Sequence, residues 1–495
     1  MSPMMERFEL APGLQISRVL TGLWQVADME RDGTEVDLDA AAQEMDRYVE
    51  AGLTTFDMAD HYGSSELIAG RYEAMRPNAS QLLTKWVPKP GPVTRDSVRG
   101  AVELACERMG RQQLDLLQFH AWSYADPGWL DCMFELQALK DEGLIRHLGL
   151  TNTDTVHLRM LVESGIEIAS NQVSYSLLDQ RASGAMTELC LEHGVHLLAF
   201  GTVAGGFFTE RWLGAPEPAM DELETWSKMK YKRFIDAAGG WQKFQSVLST
   251  VADVAARLNA SVANVACRHI LDAPAVAGII VGARLLHSEH IDDTLTLFDF
   301  TLDEEGSSAI ASALGELDAI HGDCGDEYRQ PPFLTAAGDL SDHFDEFPPP
   351  YPTQVGGDGR KRASSGTVWE DVAGFSRAVR KGNRIFVSGT TATHGDRLIG
   401  GSDAASQTHF IIDKIEGAIQ SLGGRLEDVV RTRVYIDDPE VWEPISRAHG
   451  ERFGHIQPAN TLVHAGLIGE GYLVEIEAEA IVGSEDPRHQ GADAP

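Results

Sequence analysis

Over the first three hundred positions, apolar residues fall into short continuous runs, separated by longer stretches in which they recur every three to four residues. The first pattern is that of strands buried on both faces, the second that of helices with one apolar side. Eight runs stand out: ISRVLTGLW (16–24), TTFDMA (54–59), QLLTKW (81–86), LDLLQFHAW (114–122), RHLGLTN (146–152), IASNQVSY (168–175), HLLAFGT (196–202) and AGIIVGA (277–283). Helical segments such as LDAAAQEMDRYVEAG lie between them, and Gly52 supplies the stop that ends this one. Eight alternations of strand and helix predict an α/β fold, a parallel sheet closed into a (β/α)8 TIM barrel. Residues 207–245 break the rhythm after the seventh strand. Rich in aromatic, proline and charged residues, they are expected to form an elaborated loop over the barrel mouth.

The texture changes after the barrel, taken as 1–323. Residues 324–365 carry proline runs and the GGDG segment and read as a linker, semi-rigid in one part and flexible in the other. Residues 366–485 follow another grammar. Strands at SRAVRKG, NRIFVSGTT, VVRTRVYIDD, NTLVHAGL and LVEIEAEAIV, with helices near 407–422 and 440–452, predict a smaller α+β domain with helices on one sheet face. Residues 486–495 are left as a tail.

Composition narrows the function classes. The 495 residues are 43% hydrophobic, and no apolar run is long enough to span a bilayer, so no membrane partner is expected. The N-terminus lacks a basic patch followed by an apolar core, which points to the cytoplasm. A formal charge of −34 argues against a nucleic-acid partner. Cys106, Cys132, Cys190, Cys267 and Cys324 are scattered, odd in number and without a Cys-x-x-Cys pair, so neither a disulfide framework nor a thiolate metal site is expected.

Polar and reactive residues gather at the C-terminal ends of the barrel strands, where barrel active sites are built. Asp57 lies in TTFDMADHYG with Tyr62 just beyond it, Lys85 in LLTKW and His120 in LLQFHAW. These four types suit carbonyl reduction by hydride transfer, which needs a proton for the nascent alkoxide. Tyrosine is a poor acid at neutral pH, its ordinary pKa being about 10. A neighbouring lysine stabilises the tyrosinate, an aspartate holds the lysine charged, and a histidine can orient the carbonyl oxygen. Each residue alone has an ordinary packing explanation, but their order along successive strand ends does not. Trp24, Trp86, Trp122 and Tyr124 also stand near strand ends and are candidates for an aromatic substrate pocket, with barrel packing as the equal alternative.

On these motifs, residues 8 to about 320 resemble the aldo-keto reductase superfamily. The resemblance implies Tyr62 as general acid, Lys85 and Asp57 as its tuners, and His120 as the group directing the substrate. It also implies a nicotinamide site of Thr151, Asn152 and Gln172, with Phe200 and Gly201 at the stacking position. The segment IIVGARLLHSEHIDDTL resembles the family's adenosine-phosphate loop, giving Gly282, Arg284 and His290, although His290 and Thr294 depart from the usual residues there. Arg284 would suit a 2′-phosphate, so NADP(H) is favoured over NAD(H). A small aldehyde or ketone is the expected substrate.

Residues 373–483 resemble the Rid family of imine and enamine deaminases, implying a chorismate-mutase-like fold and homotrimers with clefts between subunits. The carboxylate-binding arginine of that family is replaced by Asn460 in Pro458-Ala459-Asn460, Phe375 stands near a usual tyrosine, and Glu475 keeps the water-positioning place. Losing the arginine removes a charge-assisted pair of about 1.5–3 kcal/mol. This leaves an oligomerising or ligand-binding module, or a hydrolase of neutral substrates. For the whole chain, two alternatives to a reductase stay open: a bifunctional protein coupling imine hydrolysis to reduction, and a cofactor-binding regulator with little turnover.

Overall fold

The computed structural model describes residues 5–30, 33–89, 91–287, 290–329 and 347–483. Strands Val19–Gly22, Thr55–Asp57, Gln81–Trp86, Leu114–Phe119, Ile145–Thr151, Ile168–Ser174, His196–Phe200 and Val276–Gly282 pair in parallel, the last also with the first, and close the barrel. Every expected run holds one of them. The first run, however, divides between two structures. Leu14–Ser17 pairs with Arg7–Ala11 as an antiparallel hairpin, and only Val19–Gly22 enters the barrel. Leu10, Leu14 and Ile16 of that hairpin are buried against Leu20, Leu83, Leu116, Leu198 and Ala277, which lie toward the N-terminal ends of their strands. The hairpin therefore plugs the end of the barrel away from the reactive residues, each buried aliphatic side chain contributing roughly 1.5–3 kcal/mol.

The interval 207–245 is less loop than expected. It holds single turns at Glu210–Trp212 and Met220–Glu222, the helix Trp226–Ala237 and the start of Trp241–Leu258. Phe207, Phe208 and Phe234 are fully buried, and Trp212 and Trp241 pack on Phe207 at 4.9 and 5.9 Å. Aromatic residues that looked like a lid thus anchor a packed layer, which keeps one edge over the barrel mouth.

In the second domain a seven-stranded sheet runs in the order Thr353–Val355, Lys361–Ala363, Ala378–Lys381, Arg384–Thr391, Val474–Ile481, Val429–Ile436 and Ala459–His464. All neighbours are antiparallel except the last two. Helices Ala404–Ser421 and Trp442–Phe453 lie together, the first against the strands Arg384–Thr391 and Val474–Ile481. The outer strand Ala459–His464 is exposed throughout. The first two strands of this sheet come from the stretch expected to be a spacer. So does the short helix Asp326–Arg329, which turns back onto the barrel, and Tyr351, which is buried. The described parts of 324–365 are therefore built into the two bodies and do not form a linker. Proline and glycine there shape turns between short strands, a use that composition alone does not separate from flexibility.

The two bodies meet across helices Thr155–Glu163 and Ala404–Ser421. Gly417 allows the approach, since a Cβ there would lie 2.1 Å from the carbonyl oxygen of Ala125. Charge is buried in this contact. His157 bonds Asp154 through Nδ1 at 2.6 Å and Asp413 through Nε2 at 2.9 Å, and Arg452 reaches Asp413 at 2.5 Å and Glu416 at 2.8 Å. Tyr124 stacks on the His157 ring at 3.4 Å, so it belongs to this interface and not to the substrate pocket considered for it. Among the described residues no helix is long and apolar enough to cross a membrane, and no cluster of His, Cys, Asp and Glu is arranged to hold a metal ion.

Candidate active site

Strand parity decides which side chains reach the barrel interior. Asp57 closes its strand pointing inward, and Lys85, at the fifth position of Gln81–Trp86, points in beside it. The Lys85 ammonium donates to Asp57 Oδ2 at 2.6 Å and to the Met58 carbonyl at 3.0 Å, and both side chains are almost wholly buried. Burial pushes the Lys85 pKa below its ordinary value, against the pull of Asp57. The other carboxylate oxygen of Asp57 accepts from Gln118 at 3.1 Å and from Gln172 at 2.7 Å. With three donors around it, the Asp57 side chain is held in place beneath the lysine.

Tyr62 sits in the turn beyond the second strand, its ring centre 4.8 Å from the Lys85 ammonium. His120 follows the fourth strand, and its Nδ1–H donates to the Thr151 carbonyl at 3.3 Å. That bond occupies Nδ1 and leaves Nε2, turned away from the strand, as the end of the ring that can meet a ligand. A cavity of about 840 Å³ opens over the strand ends and is lined by Asp57, Tyr62, Lys85 and His120 together. The same cavity is lined by Thr151, Asn152, Gln172, Phe200, Gly201, Gly282, Arg284 and His290, so the structure brings all the expected cofactor residues to one space.

Local backbone features shape this wall. Asn152 adopts a left-handed conformation with φ 56°, and its buried Oδ1 has no hydrogen-bond partner among the described residues. Gly201, with φ 82°, lets Tyr231 pass so closely that a Cβ would lie 2.4 Å from the phenolic oxygen. The Nε2 of Gln172 is taken by Asp57 and Gln118, which leaves its Oε1 end for a ligand. Arg284 lies 4.0 Å from the buried Asp28 carboxylate, and its Nε has no hydrogen-bond partner among the described residues. Thr294 also lines the cavity.

Of the aromatic candidates, Trp24 and Trp122 line the cavity, Trp24 edge-on to Tyr62 at 4.9 Å and Trp122 edge-on to His120 at 4.4 Å. Trp86 is a correction. One position after the inward Lys85 it must face outward, and it packs on Phe119. His61, next to Tyr62, also stands on the lining and bonds Asp60 at 2.8 Å. Three contributors escaped sequence reading. Gln118 is fully buried between Asp57 and Gln172, Lys230 comes from the interval after the seventh strand, and Tyr328 comes from the helix Asp326–Arg329 with its ring 5.5 Å from His120. Only Gln118 carried a signal, as the inward neighbour of His120 two positions earlier on its strand.

The second-domain residues are not assembled within one chain. Asn460 donates to Thr432 and meets His449, each at 3.1 Å. Glu475 pairs across the sheet with Tyr435, and burial raises its pKa. Thr432 and Tyr435 are three residues apart on the strand between them. At about 4.8 Å per strand and 3.3 Å per residue, Asn460 and Glu475 stand roughly 14 Å apart. Phe375 lies at the other side of the sheet, before Ala378–Lys381, and is partly exposed.

Comparison with known proteins agrees with this division of the chain. The family model described as Aldo/keto reductase family matches residues 18–314, and the one described as Endoribonuclease L-PSP, of the Rid type, matches 368–482. An uncharacterized protein of Streptomyces coelicolor is 40% identical over 127 residues, 26% of this chain and 95% of its own length. An uncharacterized oxidoreductase of Bacillus subtilis, YcsN, is 29% identical over 230 residues, 42% of this chain and 73% of its own. Among solved structures, a glycerol dehydrogenase of Gluconobacter oxydans shares the fold at TM-score 0.53 and 21% identity, over 65% of this chain and 98% of its own. Because the first match runs through all eight barrel strands and more than half of the sequence, the chain belongs to the aldo/keto reductase family of oxidoreductases and carries a Rid-type domain behind its barrel.

Proposed function

We propose that the barrel reduces the carbonyl of a small aldehyde or ketone with a nicotinamide cofactor, Tyr62 delivering the proton. The observation that carries this reading is the stack of Asp57, Lys85 and Tyr62 under one cavity, with His120 across from it. A bound nicotinamide supplies the hydride. Everything else falls to the chain. His120 Nε2 and the Tyr62 hydroxyl bracket the carbonyl oxygen, His120 fixing its orientation and Tyr62 giving up its proton as negative charge develops. The Lys85 ammonium stabilises the phenolate left behind, and Asp57, pinned by Gln118 and Gln172, keeps that ammonium in place.

The wall fits the cofactor. The unpartnered Asn152 Oδ1 and the Oε1 end of Gln172 suit a carboxamide NH2, Thr151 stands beside them, and Phe200 offers a face for the nicotinamide ring next to Gly201. Gly282, His290 and Arg284 would receive the adenosine end. The unsatisfied Nε of Arg284 favours a 2′-phosphate and hence NADP(H) over NAD(H).

The test is a cofactor-oxidation assay at 340 nm with NADPH and NADH over sugars, aromatic aldehydes, ketoacids and cyclic imines. Carbonyl-dependent oxidation, faster with NADPH, is expected. Tight cofactor binding without turnover on any member would replace this reading with a regulatory one.

For the second domain we infer an assembling role. Its Asn460 and Glu475 lie too far apart to share a ligand in one chain, and Phe386 and Val463 are exposed on the sheet face away from its helices. A second copy set against this sheet would cover them. Sedimentation equilibrium should give three times the 54.0 kDa of the chain. A monomeric mass at micromolar concentration would remove this role.

A further inference from the structure

Three lysines on the helix Trp226–Ala237 differ in their partners. Lys228 pairs with Glu224 at 3.7 Å, and Lys232 with Glu217 at 2.8 Å and Asp236 at 2.5 Å. Lys230, between them, is 9% exposed and lines the cavity, and no carboxylate among the described residues forms an ion pair with it. Its ammonium donates to the Tyr328 hydroxyl and stands 5.1 Å from the centre of the Phe200 ring. Two buried acids close to the neighbouring Tyr231, Asp179 and Glu327, are both paired with Arg181, at 2.8 and 2.9 Å.

An ammonium withdrawn from water without an anion is costly, and the cost is recovered when an anion arrives. Here the way to it leads through the cavity that holds the reactive tetrad. The Tyr328 ring separates the two, 4.6 Å from the Lys230 ammonium and 5.5 Å from the His120 imidazole. On a chain of net charge −34, this buried cation gives the cavity wall a local preference for the opposite sign.

We propose that Lys230, with Tyr328 beside it, binds a carboxylate on the substrate, so that the protein acts on short oxo acids whose carbonyl lies a few carbons from the acid group. The proposal rests on the cavity's being a carbonyl-reducing site, with the oxo group at Tyr62 and His120 and the carboxylate one aromatic ring away. A phosphate of the cofactor offers the same anionic oxygens, and the experiment separates the two.

The probes are 4-oxobutanoate and butanal, which differ by the carboxylate, each assayed with wild-type protein, Lys230→Met and Lys230→Arg. Wild-type kcat/KM is expected to favour the oxo acid. In Lys230→Met the ratio of oxo acid to butanal should fall by about 10- to 100-fold through KM, the range of a lost charge-assisted hydrogen bond, and Lys230→Arg should restore part of it. Succinate, which has no carbonyl to reduce, is titrated in parallel by quenching of tryptophan fluorescence, since Trp24, Trp122 and Trp226 line the same space. Its binding should be lost in Lys230→Met. Equal loss on both aldehydes, an increase confined to the KM of the cofactor, or succinate binding that survives Lys230→Met would each overturn the proposal. Succinate binding that depends on Lys230, in a protein that reduces neither aldehyde, would keep the anion site and sink the reductase reading instead.

Discussion

Tyr62→Phe is expected to lower kcat by roughly 10²- to 10⁴-fold, the usual range for removing a positioned proton donor. The ring stays, so the 4.8 Å contact with Lys85 and the edge-on contact with Trp24 survive, and neither folding nor cofactor binding should change. Single-turnover kinetics with bound NADPH separates the chemical step from binding, and circular dichroism checks the fold. Turnover within threefold of wild type would show that another group supplies the proton, with His120 the first candidate.

The second large effect lies far from the chemistry. Asp413→Ala leaves His157 and Arg452 facing each other across the contact between the bodies, each with one partner fewer. Breaking a buried ionic group from one side costs about 3–5 kcal/mol, which a urea titration followed by circular dichroism would register. A loss below about 1 kcal/mol would mean that the contact behaves as an exposed pair. The pH dependence has a definite sign. Asp154 and Asp413 hold the His157 pKa up at about 9 despite its burial, whereas both carboxylates are held below their ordinary value of 3.8. The histidine's contribution is complete below its ordinary 6.5 and is lost as pH rises through about 9; the carboxylates' contribution is complete above 3.8 and is lost on acidification. The stability difference between wild type and His157→Gln should therefore be larger at pH 6 than at pH 9.5.

How much of this was readable beforehand depended on the kind of signal. The eight strands were legible because buried parallel strands are apolar throughout, and the gathering of Asp57, Tyr62, Lys85 and His120 around one cavity because polar residues at or just beyond successive strand ends share the barrel mouth. Trp86 was misread because nearness to a strand end says nothing of parity, and its neighbour Lys85 already held the inward position. The N-terminal hairpin merged with the first barrel strand because one apolar run served two structures, with the turn of chain at Arg18 hidden inside it. Lys230 and Tyr328 carry no motif. Each reaches the cavity from a segment whose local pattern speaks only of helix or of proline-rich chain, and only tertiary packing makes them neighbours of His120. In the second domain the sheet was legible from alternation, but the distance between Asn460 and Glu475 depends on strand order.

The short helix Asp326–Arg329 has a practical consequence for anyone dissecting the protein. Tyr328 reaches the cavity from it, while Arg329 donates to the Asn152 carbonyl at 2.6 Å and lies 3.7 Å from Asp154, the same carboxylate that bonds His157 at the contact with the second domain. A gene truncated at the last barrel helix would encode a fragment stripped of part of its cavity wall, with the Asn152 carbonyl left without its Arg329 donor. Slow turnover by such a fragment would reflect the missing wall, and would be mistaken for communication between the two domains.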